Sequence, residues 1–236
     1  MYKVIVFDIG DTLIGYEPDA ATVITRRFDS IGVKITAKEA AQINRTMELG
    51  IAEQIYREIN GAERLDDAAF IKHIDCQILA LPFVKAKINT VELDNAFKNA
   101  HIRQRQKKMV KPNAHTVLLE LKEKYRLGVI SNYSASMLDY LHEVGLADYF
   151  ETIVISEIVG FEKPDRRIYD CFLQQMRCQA QDCLYVGDHP FDIMGAKQAG
   201  MDVVWLNQIY DAMPEYIQER PDYILRDIGE LTSILL

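Results

Sequence analysis

Three short apolar runs in the chain end abruptly at polar residues. The runs are VIVF (4–7), LGVI (127–130) and CLYV (183–186), and they are followed by Asp8, by Ser131, and by Gly187 with Asp188. Continuous apolar runs of this length are typical of strands that are buried on both faces, as in a parallel sheet. The pattern therefore predicts three central strands with polar side chains at their carboxyl ends.

Segments with the hydrophobic spacing of amphipathic helices lie between and after these runs. We predict helices at 113–125, 134–144, 191–199 and 228–235, and further strands at 152–155, 203–206 and 223–225. The third of these helices should end at Gly200, because glycine commonly terminates helices. Strands that alternate with helices predict an α/β fold with a doubly wound, Rossmann-like parallel sheet as its core.

The segment 15–107 has helical periodicity throughout and no convincing strand. Thr36 and Glu39 form a predicted capping box. Apolar residues recur in two stripes, which are Ile43, Met47, Ile51, Ile55 and Ile59 in one helix and Ile71, Ile74, Ile78 and Leu81 in another. We interpret both stripes as core. The segment is therefore predicted to be an all-helical domain, 15–107, inserted into an α/β core domain formed by 1–14 and 108–236.

Composition and charge narrow the possible partners. The formal net charge is −8, from 27 Lys and Arg against 35 Asp and Glu, and this disfavours binding to nucleic acid. No apolar stretch approaches the roughly 18 residues needed to cross a bilayer, and the four cysteines include no C-x-x-C pair. We expect a soluble, cytoplasmic protein with reduced thiols and with neither a nucleic-acid nor a membrane partner. The oligomeric state is left open.

The polar residues at the strand ends are expected to converge. In open parallel sheets, ligands bind beyond the carboxyl ends of the strands, which is where Asp8, Ser131 and Asp188 are placed. A single acid at a strand end is often only a helix N-cap. An acid, a hydroxyl and a second acid at three strand ends indicate a ligand site.

Four stretches of the chain match a known set of motifs in order and spacing. They are FDIGDTL with Asp8, VISN with Ser131, GFEKPD with Lys163, and VGDHPFDIMGAKQAGM with Asp188 and Asp192. On these residues the chain resembles the haloacid dehalogenase-like (HAD) hydrolase superfamily over essentially its whole length. The helical segment 15–107 looks like a C1-type cap domain of that superfamily.

The resemblance implies a magnesium-dependent phosphomonoester hydrolase. Asp8 would attack phosphorus and form an aspartyl-phosphate, which divides a difficult hydrolysis into two steps. The Mg²⁺ ligands implied are Asp8, the backbone carbonyl of Gly10, and Asp188, with Asp192 supporting the metal or its waters. Magnesium suits such a set because it prefers oxygen ligands and binds through few carboxylates.

Further residues are implied to bind the substrate, a small phosphorylated metabolite. Ser131 would hydrogen-bond a phosphoryl oxygen, and Lys163 would pair both with that oxygen and with Asp8. Asn132 could donate to the substrate or make only a local turn bond. His189 could touch the substrate, although a loop histidine that is fixed before Pro190 is the favoured interpretation.

The chain departs from the usual pattern at one position. Phosphatases of this superfamily mostly read D-x-D-x-T, in which the second acid protonates the leaving group, whereas this chain has Gly10 at that place. Asp11, one residue further on, is either a replacement acid/base or a turn-stabilising or cap-hinge residue. General acid/base catalysis is typically worth about 10²- to 10⁴-fold in rate. Its loss predicts slow turnover, with the smallest loss of rate for substrates that have good leaving groups.

The same glycine keeps two other functions open. One is a regulatory protein that binds metal and phosphate without useful turnover. The other is a haloacid dehalogenase-type hydrolase, since such enzymes also lack an acid at this position. The acidic pair Asp188 and Asp192 argues against the dehalogenase, because displacing halide from carbon requires no magnesium. Phosphate-ester hydrolysis is therefore the leading hypothesis.

Overall fold

The computed structural model describes residues 2–98, 106–210 and 212–236. The chain divides into two compact units, Met1–Gly15 with Lys108–Leu236, and Tyr16–Lys107. The described residues form eight strands, which are β1 (Val4–Phe7), β2 (Ile14–Glu17), β3 (Lys107–Val110), β4 (Arg126–Ser131), β5 (Thr152–Ile155), β6 (Cys183–Gly187), β7 (Asp202–Leu206) and β8 (Tyr223–Leu225). They also form eleven α-helices, which are α1 (Ala20–Ser30), α2 (Ala37–Ile59), α3 (Asp67–Leu79), α4 (Pro82–Lys87), α5 (Thr90–Lys98), α6 (Ala114–Lys122), α7 (Ser136–Glu143), α8 (Ser156–Val159), α9 (Arg166–Met176), α10 (Pro190–Gln198) and α11 (Leu231–Leu235).

The first unit is built on a six-stranded sheet with the order β5-β4-β1-β6-β7-β8. Every neighbouring pair in it is parallel. Helices cover both faces: Leu118 of α6 packs in one cluster with Ile5 and Phe7 of β1, while Phe172 of α9 lies over Gly128 on the opposite face. The predicted doubly wound α/β fold is confirmed.

Strand β1 occupies the centre of this sheet, and all four of its residues are fully buried. Its neighbours are β4 on one side and β6 on the other, so the direction of chain progression through the sheet reverses at β1. Ligands of such sheets bind beyond the carboxyl ends of the strands at this reversal. The fold therefore places the residues after β1, β4 and β6 at its natural binding edge.

Most predicted elements of this unit are present, with small differences at their ends. Strands β5 and β8 have the predicted bounds, and α10 begins one residue earlier than predicted, at Pro190. The predicted last helix, 228–235, is a 3₁₀ turn (Ile228–Glu230) followed by α11. The prediction of no strand near the ends of segment 15–107 was wrong, because β2 and β3 pair in a two-stranded sheet. Such pairing between distant segments leaves no local periodicity to read.

The second unit, Tyr16–Lys107, contains α1 to α5 and its own core. Its buried cluster includes Ile24 and Phe28 of α1, Ile43 of α2, and Ile74 and Ile78 of α3. The predicted capping box at the start of α2 is confirmed: Glu39 N donates to Thr36 Oγ1 at 3.2 Å, and Thr36 N donates to Glu39 Oε2 at 2.7 Å. No helix among the described residues is long and apolar enough to cross a membrane.

The two stripes of this unit are only partly core. Ile59 and Ile71 are 51% and 57% exposed, so their assignment as core was wrong. A spacing of four residues drifts by about 40° per step around a helix of about 3.6 residues per turn. The stripe that begins at the buried Ile43 has therefore rotated to the solvent side when it reaches Ile59. Ile71 lies in the first turns of α3, where the chain enters from solvent.

Candidate active site

Asp8 is the first residue after β1 and is held from both its backbone and its side chain. Its N–H donates to the Val186 carbonyl at 2.9 Å. Its carboxylate oxygen Oδ1 accepts hydrogen bonds from Ser131 Oγ at 2.7 Å and from Lys163 Nζ at 2.5 Å. Among the described residues, both side-chain donors bind this one oxygen, so Oδ2 is the oxygen that remains for a metal ion or an electrophile.

Lys163 connects Asp8 with a second carboxylate. Its Nζ lies 2.6 Å from Asp192 Oδ1 and 3.1 Å from the hydroxyl of Tyr185. Burial lowers the pKa of the Lys163 ammonium, but the carboxylates of Asp192 and Asp8 raise it by more, so the net shift is upward. The ammonium therefore stays charged, and it directs its three N–H groups to Asp8, Asp192 and Tyr185.

Asn132 fixes the backbone of this lysine. Its Oδ1 accepts from Lys163 N at 2.7 Å, and its Nδ2 donates to the Lys163 carbonyl at 3.0 Å. Neither sequence-based interpretation of Asn132 anticipated this pair of bonds, because the partner lies in a distant loop rather than in a local turn or a substrate. The side chain of Asn132 acts here on the position of Lys163.

The second acid, Asp188, directly follows β6. Its Oδ1 accepts from Thr12 Oγ1 at 3.3 Å, and its backbone carbonyl accepts from Trp205 Nε1 at 2.8 Å. Trp205, in the apolar strand β7, is buried. It also fixes the peptide that carries Asp188, a role that an apolar strand pattern cannot reveal.

The third acid, Asp192, lies in the first turn of α10. Its Oδ2 accepts from His189 N at 3.1 Å, and its Oδ1 accepts from Lys163 and can accept from the Tyr185 hydroxyl, 3.1 Å away. A β-carbon at Gly187 would come within 2.5 Å of Asp192 Oδ2. The absent side chain at Gly187 therefore makes room for the Asp192 carboxylate beneath the end of β6.

The three acids form one cluster that fits a metal ion. One ligand atom from each of Asp8, Asp188 and Asp192 lies within 4.8 Å of the others. Three carboxylates and the single ammonium of Lys163 leave two negative charges, which a divalent cation would balance. Oxygen ligands of this kind suit hard cations such as magnesium. Both oxygens of Asp192 already accept hydrogen bonds, so Asp8 and Asp188 are the better candidates for direct ligands.

The crowding of these charges changes how readily the acids ionise. Burial raises the pKa of Asp8; Lys163 opposes this effect and Asp192 adds to it, with a net upward shift. The pKa of Asp188 is raised well above its ordinary value, first by burial and then by Asp8, Asp192 and Asp11. Without a cation the cluster therefore favours proton uptake, which a metal ion would reverse.

His189 serves as the N-cap of α10. Its Nδ1 accepts from Phe191 N at 3.2 Å, and its ring packs against Phe191 and Tyr210, with centroids 5.1 and 6.4 Å apart. Burial lowers the pKa of His189 to about 4, with Lys163 adding to the effect. A neutral imidazole whose Nδ1 accepts a backbone hydrogen bond carries its proton on Nε2. The structure supports the fixed loop histidine rather than a substrate ligand.

Gly10 and Asp11 form a tight turn beside the cluster. Asp11 has a positive φ of 48° and its N–H donates to the Ile14 carbonyl at 2.8 Å, while the Gly10 carbonyl accepts from Thr12 N at 2.6 Å. A carbonyl has two lone pairs, so the Gly10 carbonyl retains one for a metal ion. Burial raises the pKa of Asp11, Lys111 opposes this and Asp8 adds to it. Among the described residues, no hydrogen bond joins the Asp11 carboxylate to the three clustered acids.

Two tyrosines near the site were missed at the level of sequence. Tyr185 lies inside the apolar run CLYV, and its hydroxyl accepts from Lys163 and can donate to the Ile130 carbonyl at 3.1 Å. A phenol in an otherwise aliphatic buried strand was a usable signal, since a buried hydroxyl requires a partner. Tyr133 follows the VISN motif, and its hydroxyl faces Gly10.

Comparison with known proteins gives a family and several relatives. The chain matches the family described as haloacid dehalogenase-like hydrolase over residues 5–206. A glyceraldehyde 3-phosphate phosphatase of Methanothermobacter thermautotrophicus is 35% identical over 130 residues, which cover 52% of this chain and 58% of that protein. The match thus spans little more than half of that relative's length. A phosphoglycolate phosphatase of Vibrio cholerae is 25% identical over 236 residues, covering 99% of this chain and 97% of that one.

A dehalogenase and a solved structure complete the comparison. An (S)-2-haloacid dehalogenase of a Pseudomonas species is 26% identical over 110 residues, which cover 46% of this chain and 48% of that enzyme. The crystal structure of the HAD-hydrolase YfnB from Bacillus subtilis, bound to magnesium, is similar with a TM-score of 0.62 and 21% identity, covering 99% of this chain and 98% of that one. A likeness at this level of identity shows the fold alone.

Proposed function

The chain belongs to the haloacid dehalogenase-like hydrolase family, and from this premise we propose that it is a Mg²⁺-dependent phosphatase that acts on a small phosphorylated metabolite of the cytoplasm. The observation that carries the proposal is the Asp8 carboxylate, one oxygen of which is fixed by Ser131 and Lys163. The curated relatives named as phosphatases support the same chemistry.

Asp8 is the nucleophile of the proposed reaction. One oxygen of its carboxylate attacks phosphorus and forms the aspartyl-phosphate as the ester oxygen leaves. Ser131 Oγ and Lys163 Nζ also lie where they can bind the phosphoryl oxygens and offset their negative charge. Water then hydrolyses the aspartyl-phosphate and restores the carboxylate.

The acidic cluster is the proposed magnesium site. Asp8, Asp188 and the Gly10 carbonyl would hold the ion, and Asp192 would orient Lys163 and the waters of the ion through its two hydrogen-bonded oxygens. Magnesium would supply the positive charge that allows a phosphate dianion to approach a cluster of carboxylates. The helical segment 15–107, which resembles a C1-type cap domain, is proposed to select the substrate.

Gly10 keeps two other candidate functions open. A chain without an acid at this position is compatible with a protein that binds phosphate and metal but turns over slowly or not at all, or with a haloacid dehalogenase. The three-acid cluster favours the phosphatase over the dehalogenase, since halide displacement needs no cation.

Phosphate release from a panel of esters tests the proposal. The panel should include p-nitrophenyl phosphate, phosphoglycolate, glyceraldehyde 3-phosphate and nucleotides, each with Mg²⁺ and with chelator. We expect Mg²⁺-dependent release that Asp8→Asn abolishes and that Asp139→Asn, an exposed acid on α7, leaves unchanged. Release by Asp8→Asn at the wild-type rate would reject the nucleophile. Halide release from small haloacids in chelator would establish the dehalogenase instead.

A further inference from the structure

The side chain that Gly10 lacks would enter a space that Tyr133 occupies. A β-carbon built at Gly10 lies 3.0 Å from the Tyr133 hydroxyl and 3.4 Å from the ring carbon Cε2. Residue 10 lies two positions after Asp8, in the turn that follows β1. The phenol hydroxyl therefore stands where a side chain two residues after Asp8 would stand.

Several contacts hold Tyr133 in this place. It follows Ser131 by two residues at the end of β4, and Ser131 itself donates to Asp8. Its backbone carbonyl lies 3.3 Å from both Ser156 Oγ and Glu157 N, which donate to it at the end of β5. Its half-buried ring packs against the core cluster, and Lys108 Nζ lies 6.0 Å from the ring centroid. The hydroxyl is thus positioned by contacts that need no substrate.

The proposed reaction requires a proton donor at this side of Asp8. Attack of Asp8 on an alkyl phosphate expels an alkoxide, a poor leaving group unless it receives a proton as the bond to phosphorus breaks. Gly10 has no side chain to donate one. A neutral phenol carries one O–H donor, and the Tyr133 hydroxyl is the group that fills the empty position.

We propose that Tyr133 is the catalytic residue that donates the proton to the leaving-group oxygen, an inference that rests on the proposed phosphatase function. In the first step an Asp8 oxygen bonds to phosphorus, the bond from phosphorus to the ester oxygen breaks, and that oxygen takes the Tyr133 proton and leaves as the alcohol. In the second step water attacks phosphorus, its proton passes to the Tyr133 phenolate, and the bond from phosphorus to Asp8 breaks. Phosphate is released, and both side chains return to their starting states.

Asp11 is less suited to this role by its backbone. It lies one residue beyond Gly10 at a positive φ of 48°, and its N–H is committed to the Ile14 carbonyl in the turn. Its carboxyl remains a chemically competent acid, so the experiment must separate the two residues. Tyr140 provides a matched control, because its ring also lies beside Lys108 Nζ, at 5.2 Å from the ring centroid.

The test compares an aryl and an alkyl phosphate in three variants. With Tyr133→Phe we expect kcat/KM for the best alkyl ester of the panel to fall by about 10²- to 10⁴-fold, and that for p-nitrophenyl phosphate to change little, because nitrophenolate leaves without a proton. Tyr140→Phe should change neither value of kcat/KM, and Asp11→Asn should cause no selective loss with the alkyl ester. Thermal unfolding should show that Tyr133→Phe is folded like the wild type.

Other outcomes overturn the inference and separate it from the function on which it rests. Equal losses for both esters in Tyr133→Phe, an unchanged alkyl rate, or a selective alkyl loss in Asp11→Asn would each reject Tyr133 while leaving the phosphatase intact. Wild-type activity confined to the aryl ester would also reject Tyr133 as the proton donor while leaving the phosphatase function intact. No release from any ester by the wild type would reject both. Recovery of alkyl hydrolysis when Gly10→Asp is added to Tyr133→Ala would support the shared position, and no recovery would count against it.

Discussion

Asn132 binds the backbone of Lys163 at both of its polar groups, accepting from the N–H at 2.7 Å and donating to the carbonyl at 3.0 Å. The two residues come from different parts of the chain, the end of β4 and the loop before α9. Their side chains have different roles: the amide of Asn132 fixes the loop that contains Lys163, and the ammonium of Lys163 binds the Asp8 carboxylate. The position of the buried ammonium of Lys163 therefore depends on a neutral residue that directly follows β4.

Replacing Asn132 should reduce turnover, although Lys163 and the three clustered acids themselves are unchanged. Asn132→Asp keeps an acceptor for the Lys163 N–H but loses the donor, and Asn132→Ala loses both. We expect kcat to fall by up to about 10²-fold, because a small displacement of Lys163 from Asp8 misplaces a catalytic charge. The free energy of unfolding should fall by about 1 kcal/mol in Asn132→Ala, since two part-buried backbone groups of Lys163 lose their partner. Urea unfolding and steady-state kinetics measure both effects, with Asn60→Ala at the exposed end of α2 as control. Unchanged kinetics in Asn132→Ala would contradict the positioning role.

In metal-free protein, Asp188 should destabilise the fold increasingly as pH rises. The raised folded-state pKa means that the folded protein binds the proton of Asp188 more tightly than the unfolded chain. Its favourable contribution is complete below the ordinary value of 3.8 and is lost as pH rises through the raised folded-state pKa. We therefore expect Asp188→Asn, measured by urea unfolding in chelator, to gain stability relative to the wild type between about pH 4 and pH 7. A difference that stays constant with pH would contradict the prediction.

Magnesium should make the wild type more stable relative to Asp188→Asn, the opposite of the difference expected in chelator. An ion that binds only the folded state raises the free energy of unfolding, by about 2.7 kcal/mol at a concentration one hundred times the Kd. We expect the unfolding midpoint of the wild type to rise with Mg²⁺ concentration and that of Asp188→Asn to respond little, because the variant lacks one of the clustered carboxylates. Differential scanning calorimetry at fixed ionic strength, with Na⁺ replacing Mg²⁺ in the control, gives the comparison. Equal responses of the two proteins would place the ion elsewhere.

His189 should matter for the stability of α10 rather than for the reaction. Asn can cap a helix as His189 does here, so His189→Asn should retain activity, whereas His189→Ala should lose about 1 kcal/mol of stability. Because burial lowers the pKa of His189 to about 4, its neutral form stabilises the fold fully above the ordinary value of 6.5, and this contribution is lost as pH falls through 4. The pH dependence of kcat between about pH 6 and 8 should therefore be the same in the wild type and in His189→Asn. A shifted profile would assign the imidazole a catalytic task.

The residues at the strand ends of the site could be predicted from the sequence, but the hydrogen bonds and contacts of the side chains around them could not. Asp8, Ser131 and Asp188 could be placed together because the carboxyl ends of neighbouring parallel strands share one edge. Lys163 lies in a loop without periodicity, and only its motif marked it. That Asn132 turns to the Lys163 backbone, and that Tyr133 fills the space beside Gly10, depends on which of several possible partners comes within reach in three dimensions.

The helical unit shows a different limit of sequence reading. The repeat of apolar residues at every fourth position correctly predicted helix α2, since that spacing excludes a strand. It overstated the core, because the same spacing rotates around the helix and brings Ile59 to the surface. Burial depends on which side of the helix meets α1 and α3, and no local pattern contains that information.

The central place of β1 also sets an order of assembly. Val4 pairs with Arg126 on one side and with Cys183 on the other, so β1 has no partner during synthesis until β4 has been made, and it gains its second partner only when β6 follows. The helices of Tyr16–Lys107 can pack before the later strands are made, because their core lies within one continuous segment. During synthesis the strand that ends at Asp8 therefore stays unpaired while the helical unit can already fold, and the cluster of three acids is completed only after β6 has been made.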